Sequence, residues 1–140
     1  MKYHQKYIPS INTEWKEKPT TDLRKSVRLW YKENLAGKII INKCLGIPIC
    51  FSVTGGKKLA MGGAIYLHKA ELVRILPAIL EHAAYNNWGS RKSKDSAIVI
   101  GYLNFKCMVH IDGIKKHVRV SVRMQKDGKL DWNHEVNIAK

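Results

Sequence analysis

The spacing of hydrophobic and polar positions divides the chain into an irregular start, helical stretches and a strand-rich second half. Residues 1–20 mix prolines, aromatics and charges without a period, so we predict an irregular arm there. A helix is predicted from about Thr21 to Leu35, with Thr21 or Asp22 as its cap and Gly37 as its stop. One face of that helix carries Leu23, Val27, Trp30, Tyr31 and Asn34.

The middle of the chain predicts a hairpin followed by a helix. The runs GKIIINK and IPICFSV are rich in β-formers and are split by Leu45-Gly46, which predicts two paired strands. Apolar residues then recur at helical spacing from His68 to Asn87. Pro77 predicts either a kink or a second helix that begins there, and NNWGSRKSKDS is the predicted loop after it.

The last third alternates in the manner of strands. Ala97–Asp112, His117–Gln125 and Leu130–Ile138 are separated by Asp-Gly pairs, which favour tight hairpin turns. The predicted fold is therefore α+β, with an N-terminal helix and a central helical segment packed on an antiparallel sheet of four to five strands. Residues 21–140 are predicted to form a single domain after the arm of residues 1–20.

The net charge indicates a class of binding partner more clearly than the rest of the amino-acid composition does. The chain has 25 Lys and Arg against 11 Asp and Glu, a formal net charge of +14. Ten of the basic residues and only three acids lie between Trp88 and Lys129, inside the predicted fold. This excess predicts a polyanion as partner, with nucleic acid first and an acidic protein second. A basic face that only contacts solvent is the alternative.

The cysteines and the hydropathy of the chain predict the cellular compartment of the protein. Cys44, Cys50 and Cys107 are odd in number, lack CxxC spacing and sit in apolar runs, so we expect buried free thiols in a reducing compartment. No apolar run reaches the ~18 residues of a membrane span, and residues 1–10 show no signal-peptide core. We expect a cytoplasmic protein, although a toxin module delivered from a larger exported protein would have the same features.

The strand around Arg119 separates polar from apolar residues most cleanly. Val118, Val120, Val122 and Met124 have one parity, whereas His117, Arg119, Ser121 and Arg123 have the other. If the preceding strand pairs through Asp112-Gly113, Lys106 and His110 join the same face. Such a face could bind phosphate, stabilise a pentavalent phosphorus or simply be solvated.

Other kinds of site fit the sequence poorly. The stretch SVTGGKK at 52–58 lacks the GxxxxGK[ST] spacing of a P-loop. Histidines and cysteines are scattered without metal-ligand spacing, and we expect no metal or other cofactor. His134 shares the parity of apolar neighbours, which favours a packed residue, yet WNHE at 132–135 concentrates polar groups. Metal-independent RNA cleavage by His, Lys and Arg remains a reaction that the chain could support.

Several segments together resemble the barnase/EndoU/colicin/RelE-like nuclease superfamily, in the version found in phage and mobile-element polyvalent proteins. These segments are FSVTGGKK at 51–58, ILPAILEHAAYNN at 75–87, IDGIKKHVRVSV at 111–122 and DGKLDWNHEV at 127–136. The resemblance covers about residues 38–140. It implies an α+β fold and a metal-independent ribonuclease, often a toxin that cleaves RNA or tRNA by 2′-hydroxyl attack and is restrained by an acidic immunity protein or antitoxin.

The resemblance also implies roles for individual residues. Lys58, beside Lys57, matches the basic position after the glycine turn, and His134 matches the histidine of the last strand. The predicted catalytic residues are Lys58, His134, Arg119 and Ser121. The predicted substrate-binding residues are Lys57, Arg91, Lys92, Lys94, His117, Arg123 and His110. The segment after Lys58 departs from the superfamily pattern because it is rich in glycine, so a non-catalytic module that binds nucleic acid or an acidic partner is the alternative function.

Overall fold

The computed structural model describes residues 3–13, 20–53, 66–133 and 135–139. The helices in these ranges are α1 (Thr20–Asn34), α2 (Tyr66–Arg74) and α3 (Leu76–His82). The strands are β1 (Ser10–Ile11), β2 (Ile39–Asn42), β3 (Ile47–Phe51), β4 (Ala84–Ser90), β5 (Val99–Ile111), β6 (Ile114–Gln125), β7 (Leu130–Trp132) and β8 (Val136–Ile138).

The long antiparallel pair β5–β6 is the centre of the sheet. The two strands pair from Val99 with Gln125 to Ile111 with Ile114, which confirms the predicted hairpin, although β6 begins three residues before the predicted start at His117. Asp112 and Gly113 form the turn with φ of 52° and 79°, a left-handed geometry that matches the twist of a two-residue hairpin. Because the side chains of a strand alternate between faces, this register sends Val118, Val120 and Val122 to the core and their neighbours to the outer face.

The predicted fold class is wrong in the size and the kind of sheet. Eight strands of the described ranges form one curled, mixed half-barrel rather than an antiparallel sheet of four to five strands. The main path runs β1-β5-β6-β7-β3-β2, while β4 also pairs with β5 and β8 also pairs with β6. The pairs β1–β5 and β3–β7 are parallel, which makes the sheet mixed.

Segments that the pattern assigned to other structures supply the extra strands. Residues 84–90, predicted as a helix end and a loop, form β4 along β5. Residues 10–11 of the predicted arm form β1 along the same edge, and the predicted last strand is divided into β7 and β8. The physical reason is the length of β5 and β6, whose outer backbone groups need hydrogen-bond partners over more than ten residues.

A glutamine side chain completes the outer edge of β5 between β4 and β1. The Gln5 amide nitrogen donates to the carbonyl oxygen of Met108, and its amide oxygen accepts from the Met108 N–H, both at 2.8 Å. The Gln5 side chain therefore forms the two backbone hydrogen bonds that a neighbouring strand would otherwise form. Further along, the His110 N–H donates to the carbonyl oxygen of Pro9 and fixes the start of β1.

The core lies between the inner face of the sheet and the helices. Leu23, Val27 and Tyr31 of α1 are buried, which confirms the predicted helix and its apolar face. Trp132 is fully buried and its ring lies 5.6 Å from that of Tyr31. The break at Ile75, with Pro77 in the first turn of α3, matches one of the two geometries predicted from the proline.

The predicted free thiols are confirmed, although only one is fully buried. Cys107 is buried, and this burial raises the pKa of its thiol to about 12. Cys44 and Cys50 are partly buried. Among the described residues, no helix combines the length and the apolar character that crossing a membrane requires.

Asn42 connects the β2–β3 hairpin to the end of α3 by hydrogen bonds. Its side chain is fully buried, and its amide nitrogen donates to the carbonyl oxygens of Leu80, at 2.7 Å, and Ala83, at 3.0 Å. Its amide oxygen accepts from the N–H of Leu45 at 2.9 Å. One side chain thus satisfies two carbonyls at a helix end and one donor in the hairpin turn.

Replacing Asn42 should therefore destabilise the fold. We expect Asn42→Ala to lower the free energy of unfolding by about 2–3 kcal/mol, because two buried carbonyl groups and one partly buried N–H lose their partner. Urea denaturation followed by circular dichroism measures this. The matched control Asn87→Ala, at an exposed position, should change stability by less than about 0.5 kcal/mol. Equal stabilities of the two variants would contradict the anchoring role of Asn42.

Candidate functional site

A polar groove of about 650 Å³ lies on the outer face of the sheet, across β4, β5, β6 and β8. The outer face is the side of the sheet opposite to the core, and we call this cavity the outer groove. It is lined by Asn86, Asn87, Asn104, Phe105, Lys106, Arg119, Ser121, Glu135, Asn137, Ile138 and Ala139. Most of these residues are polar because they occupy strand positions of the parity that points away from the valines of β6.

Two cations face each other across β5 and β6. Lys106 is the register partner of Arg119, and Arg119 is also the partner of Asn137 in β8. Both basic residues are exposed, and among the described residues neither forms an ion pair. Like charges directly opposite each other destabilise a sheet, so this pair is unfavourable until an anion lies over it. We call Lys106, Arg119 and Asn137 the cation row.

A row of neutral polar groups runs beside the cation row. Asn87 pairs with Asn104, which pairs with Ser121, and the Ser121 N–H donates to the carbonyl oxygen of Glu135 at 3.0 Å. The Ser121 hydroxyl donates to the Asn104 side-chain oxygen at 2.7 Å. Two residues of strand separate the rows, or about 7 Å. We call Asn87, Asn104 and Ser121 the amide row.

The loop after β4 contacts one residue of the outer groove, Glu135, through Lys92. The hydroxyl of Tyr102 donates to a carboxylate oxygen of Asp95 at 2.7 Å, and the Lys92 ammonium lies 5.1 Å from the centre of the Tyr102 ring. The same ammonium forms an ion pair with Glu135. The hydrogen bond from Tyr102 lowers the pKa of Asp95, while burial and the same bond raise the pKa of Tyr102. Lys92 therefore connects the loop to a residue that lines the groove.

Arg123 forms an ion pair with Asp131 inside the sheet. Its guanidinium donates twice to the carboxylate of Asp131, at 2.8 and 2.7 Å, and this bidentate contact raises the pKa of Arg123. The sequence predicted Arg123 as a substrate contact, and the structure shows that two of its five N–H donors bind Asp131, so this role stays a prediction. A second, largely apolar cleft of about 680 Å³ lies beyond this pair, with Ile39, Pro48 and Cys50 among its lining residues.

The other predicted site residues are distributed over and around the outer face. Arg119 and Ser121 line the outer groove together. His117 and His110 lie on the same face, opposite Met108 and Lys115, but are not among the lining residues. Arg91 and Lys94 are exposed in the loop, where Arg91 donates to the carbonyl oxygen of Asp95. Lys57, Lys58 and His134 lie outside the described residues, so their predicted roles stay predictions.

Sequence reasoning missed the amide side chains of the groove. Asn86 and Asn87 were assigned to a helix end and a loop, and the structure places them in β4, where the register shifts between Tyr85 and Asn87. Asn137 was passed over within the last predicted strand. Its parity with Glu135 in that strand was the available signal. Among the described residues, no group of three or more His, Cys, Asp or Glu is arranged to hold a metal ion.

The contact between Tyr102 and Asp95 should make the stability of the loop depend on pH. Since folding lowers the Asp95 pKa, the contact stabilises the loop above the ordinary carboxyl pKa of about 3.9 and is lost as pH falls through the lowered value. A carboxyl titration by NMR should place the pKa of Asp95 below the ordinary value, and Tyr102→Phe should raise it. Tyr85→Phe, whose ring packs on Phe105 instead, is the control. An Asp95 pKa that is the same in all three proteins would contradict the contact.

Comparison with known proteins gives one match. No curated protein and no solved structure matches the chain. A family described as large polyvalent protein-associated domain 3 matches residues 18–134, which include α1, the β5–β6 pair and most of the outer groove. This match supports a phage or mobile-element context and the polyvalent-protein part of the resemblance seen in the sequence, but not its nuclease part. The chain belongs to the large polyvalent protein-associated domain 3 family.

Proposed function

We propose that this domain is a nucleic-acid-binding module whose outer groove contacts the phosphate backbone. The observation that carries the proposal is the cross-strand pair of Lys106 and Arg119, two exposed like charges without an ion pair among the described residues. A phosphate over this pair would relieve their repulsion and accept hydrogen bonds from both side chains.

The surroundings of the pair favour a long polyanion over a single small anion. Along the same face of β5 and β6 lie His117, His110 and Lys115, and among the described residues no acidic side chain occupies an outer-face position between these groups and the cation row. Glu135, the one carboxylate that lines the outer groove in the described part of the chain, already contacts Lys92. With a net charge of +14, the chain would attract nucleic acid at long range and hold it at this face.

Salt dependence tests the proposal directly. We expect the protein to bind a fluorescently labelled RNA of mixed sequence in anisotropy measurements, with an affinity that falls steeply as salt rises. Arg119→Ala and Lys106→Ala should each reduce the slope of log affinity against log salt by about one unit, because each removes one phosphate contact. The matched control is Arg28→Ala, which removes an exposed arginine from α1 on the other side of the core.

The stability of the same variants separates binding from folding. Since Lys106 and Arg119 repel each other, replacing either should leave the free energy of unfolding unchanged or raise it by a few tenths of a kcal/mol. Lost affinity in stable variants therefore reflects lost contacts. If Arg28→Ala weakens binding as much as Arg119→Ala does, the interface is not the outer groove. If no nucleic acid binds at low salt, the proposal is wrong and an acidic protein becomes the expected partner.

Ribonuclease activity is the second candidate. It is favoured by one observation, namely that Arg119 and Ser121, two of the residues predicted to be catalytic, line the same groove. Among the described residues no histidine lines that groove, so binding without cleavage is the simpler function. Incubation with total RNA or tRNA in EDTA should leave the RNA intact. Cleavage that His134→Ala abolishes without loss of binding would establish the ribonuclease instead.

A further inference from the structure

The lining of the outer groove contains more hydrogen-bonding chemistry than phosphate binding requires. Phosphate oxygens only accept hydrogen bonds, and Lys106 and Arg119 supply donors for them. Asn86, Asn87, Asn104 and Asn137 add four amides, each with an acceptor as well as two donors. Paired donors and acceptors are what the edges of nucleobases present. This excess of amides indicates that bases, and not only phosphates, enter the groove.

The arrangement of the two rows fits a single strand of nucleic acid. The cation row and the amide row run side by side across the sheet, about 7 Å apart. If the phosphates of a nucleic-acid strand lie over Lys106 and Arg119, its bases lie on one side of the cation row. On the side of Ser121, the bases meet Asn104 and Asn87. On the other side, the bases contact Met108 and His117, where the described strands β5 and β6 carry no asparagine.

One amide of the groove, that of Asn104, is held in position before any ligand arrives. Asn104 is partly buried, its oxygen accepts from the Ser121 hydroxyl, and its nitrogen packs so closely on Gly89 that a Cβ there would lie 3.0 Å from it. A side chain fixed in this way loses little conformational freedom on binding. It also cannot extend out of the groove toward a distant base.

Duplex nucleic acid does not suit such a groove. In a duplex the Watson–Crick edges are already paired, and the major groove of A-form RNA is too deep and narrow for side chains to read. Asn104, which is partly buried in the groove, can contact only a base that is free to enter. We propose that the outer groove takes single-stranded nucleic acid, with phosphates over the cation row and unpaired base edges on the amide row. This inference rests on the proposed function.

Three labelled probes of equal length test it with the intact protein: a single-stranded RNA of mixed sequence, the same RNA annealed to its complement, and a single strand of abasic residues. We expect the single-stranded RNA to bind at least tenfold more tightly than either of the others at equal salt. Asn87→Ala and Asn104→Ala should each weaken its binding by roughly five- to tenfold, the range of one lost base contact. Both variants should keep the wild-type salt slope, because they remove no phosphate contact.

The outcomes separate this inference from the proposed function. Equal binding of all three probes, with a salt slope that depends on Arg119, would overturn the single-strand inference and leave phosphate binding intact. Failure of every probe to bind would overturn both. Asn34→Ala, on α1, is the matched amide control and should change nothing. Should Asn104→Ala unfold by circular dichroism, the exposed Asn87→Ala decides the outcome: an unchanged affinity for single-stranded RNA contradicts base contacts.

Discussion

The strict alternation of side chains along the paired strands β5 and β6 determines both the core and the candidate site. Each valine of β6 that enters the core is followed by a polar or basic residue on the outer face. A shift of one residue in the pairing would bury Arg119 and expose Val118 and Val120, so the hydrophobic effect holds the register. The same register places Lys106 against Arg119 and Asn104 against Ser121. Core packing therefore fixes the geometry of the outer groove.

Much of this central unit can be predicted from the sequence because its signals are local. The Asp112-Gly113 turn, the alternation after His117, the first hairpin, α1 and the break near Pro77 are all visible as short patterns. The additional strands are not local, since their formation depends on hydrogen bonds to distant backbone. Tyr85 to Ser90 contains Asn-Asn and Gly, which favour turns, yet it forms β4 because β5 offers an unpaired edge.

The candidate site also has a part that local sequence patterns predict and a part that depends on contacts between distant segments. Parity alone predicts that Arg119 and Ser121 share a face, and the structure places them in one groove. Parity could not show that Lys92 contacts Glu135, because this contact joins segments that come together only in the folded sheet. Arg123 and Asp131, in contrast, face each other across the predicted Asp127-Gly128 turn, so the predicted hairpin was the available signal for their contact. The resemblance to metal-independent nucleases rested on the order of short motifs. The curled eight-stranded sheet differs from the fold which that resemblance implied.

Photo-crosslinking tests whether the outer groove is the nucleic-acid interface. Single-stranded RNA carrying photoreactive uridines would be irradiated with the protein, and the crosslinked peptides identified by mass spectrometry. We expect crosslinks in β4, β5 and β6, concentrated around Asn87, Asn104 and Arg119. Crosslinks concentrated instead on α1, whose exposed Lys25, Arg28 and Lys32 offer a competing basic surface, would contradict an interface at the outer groove.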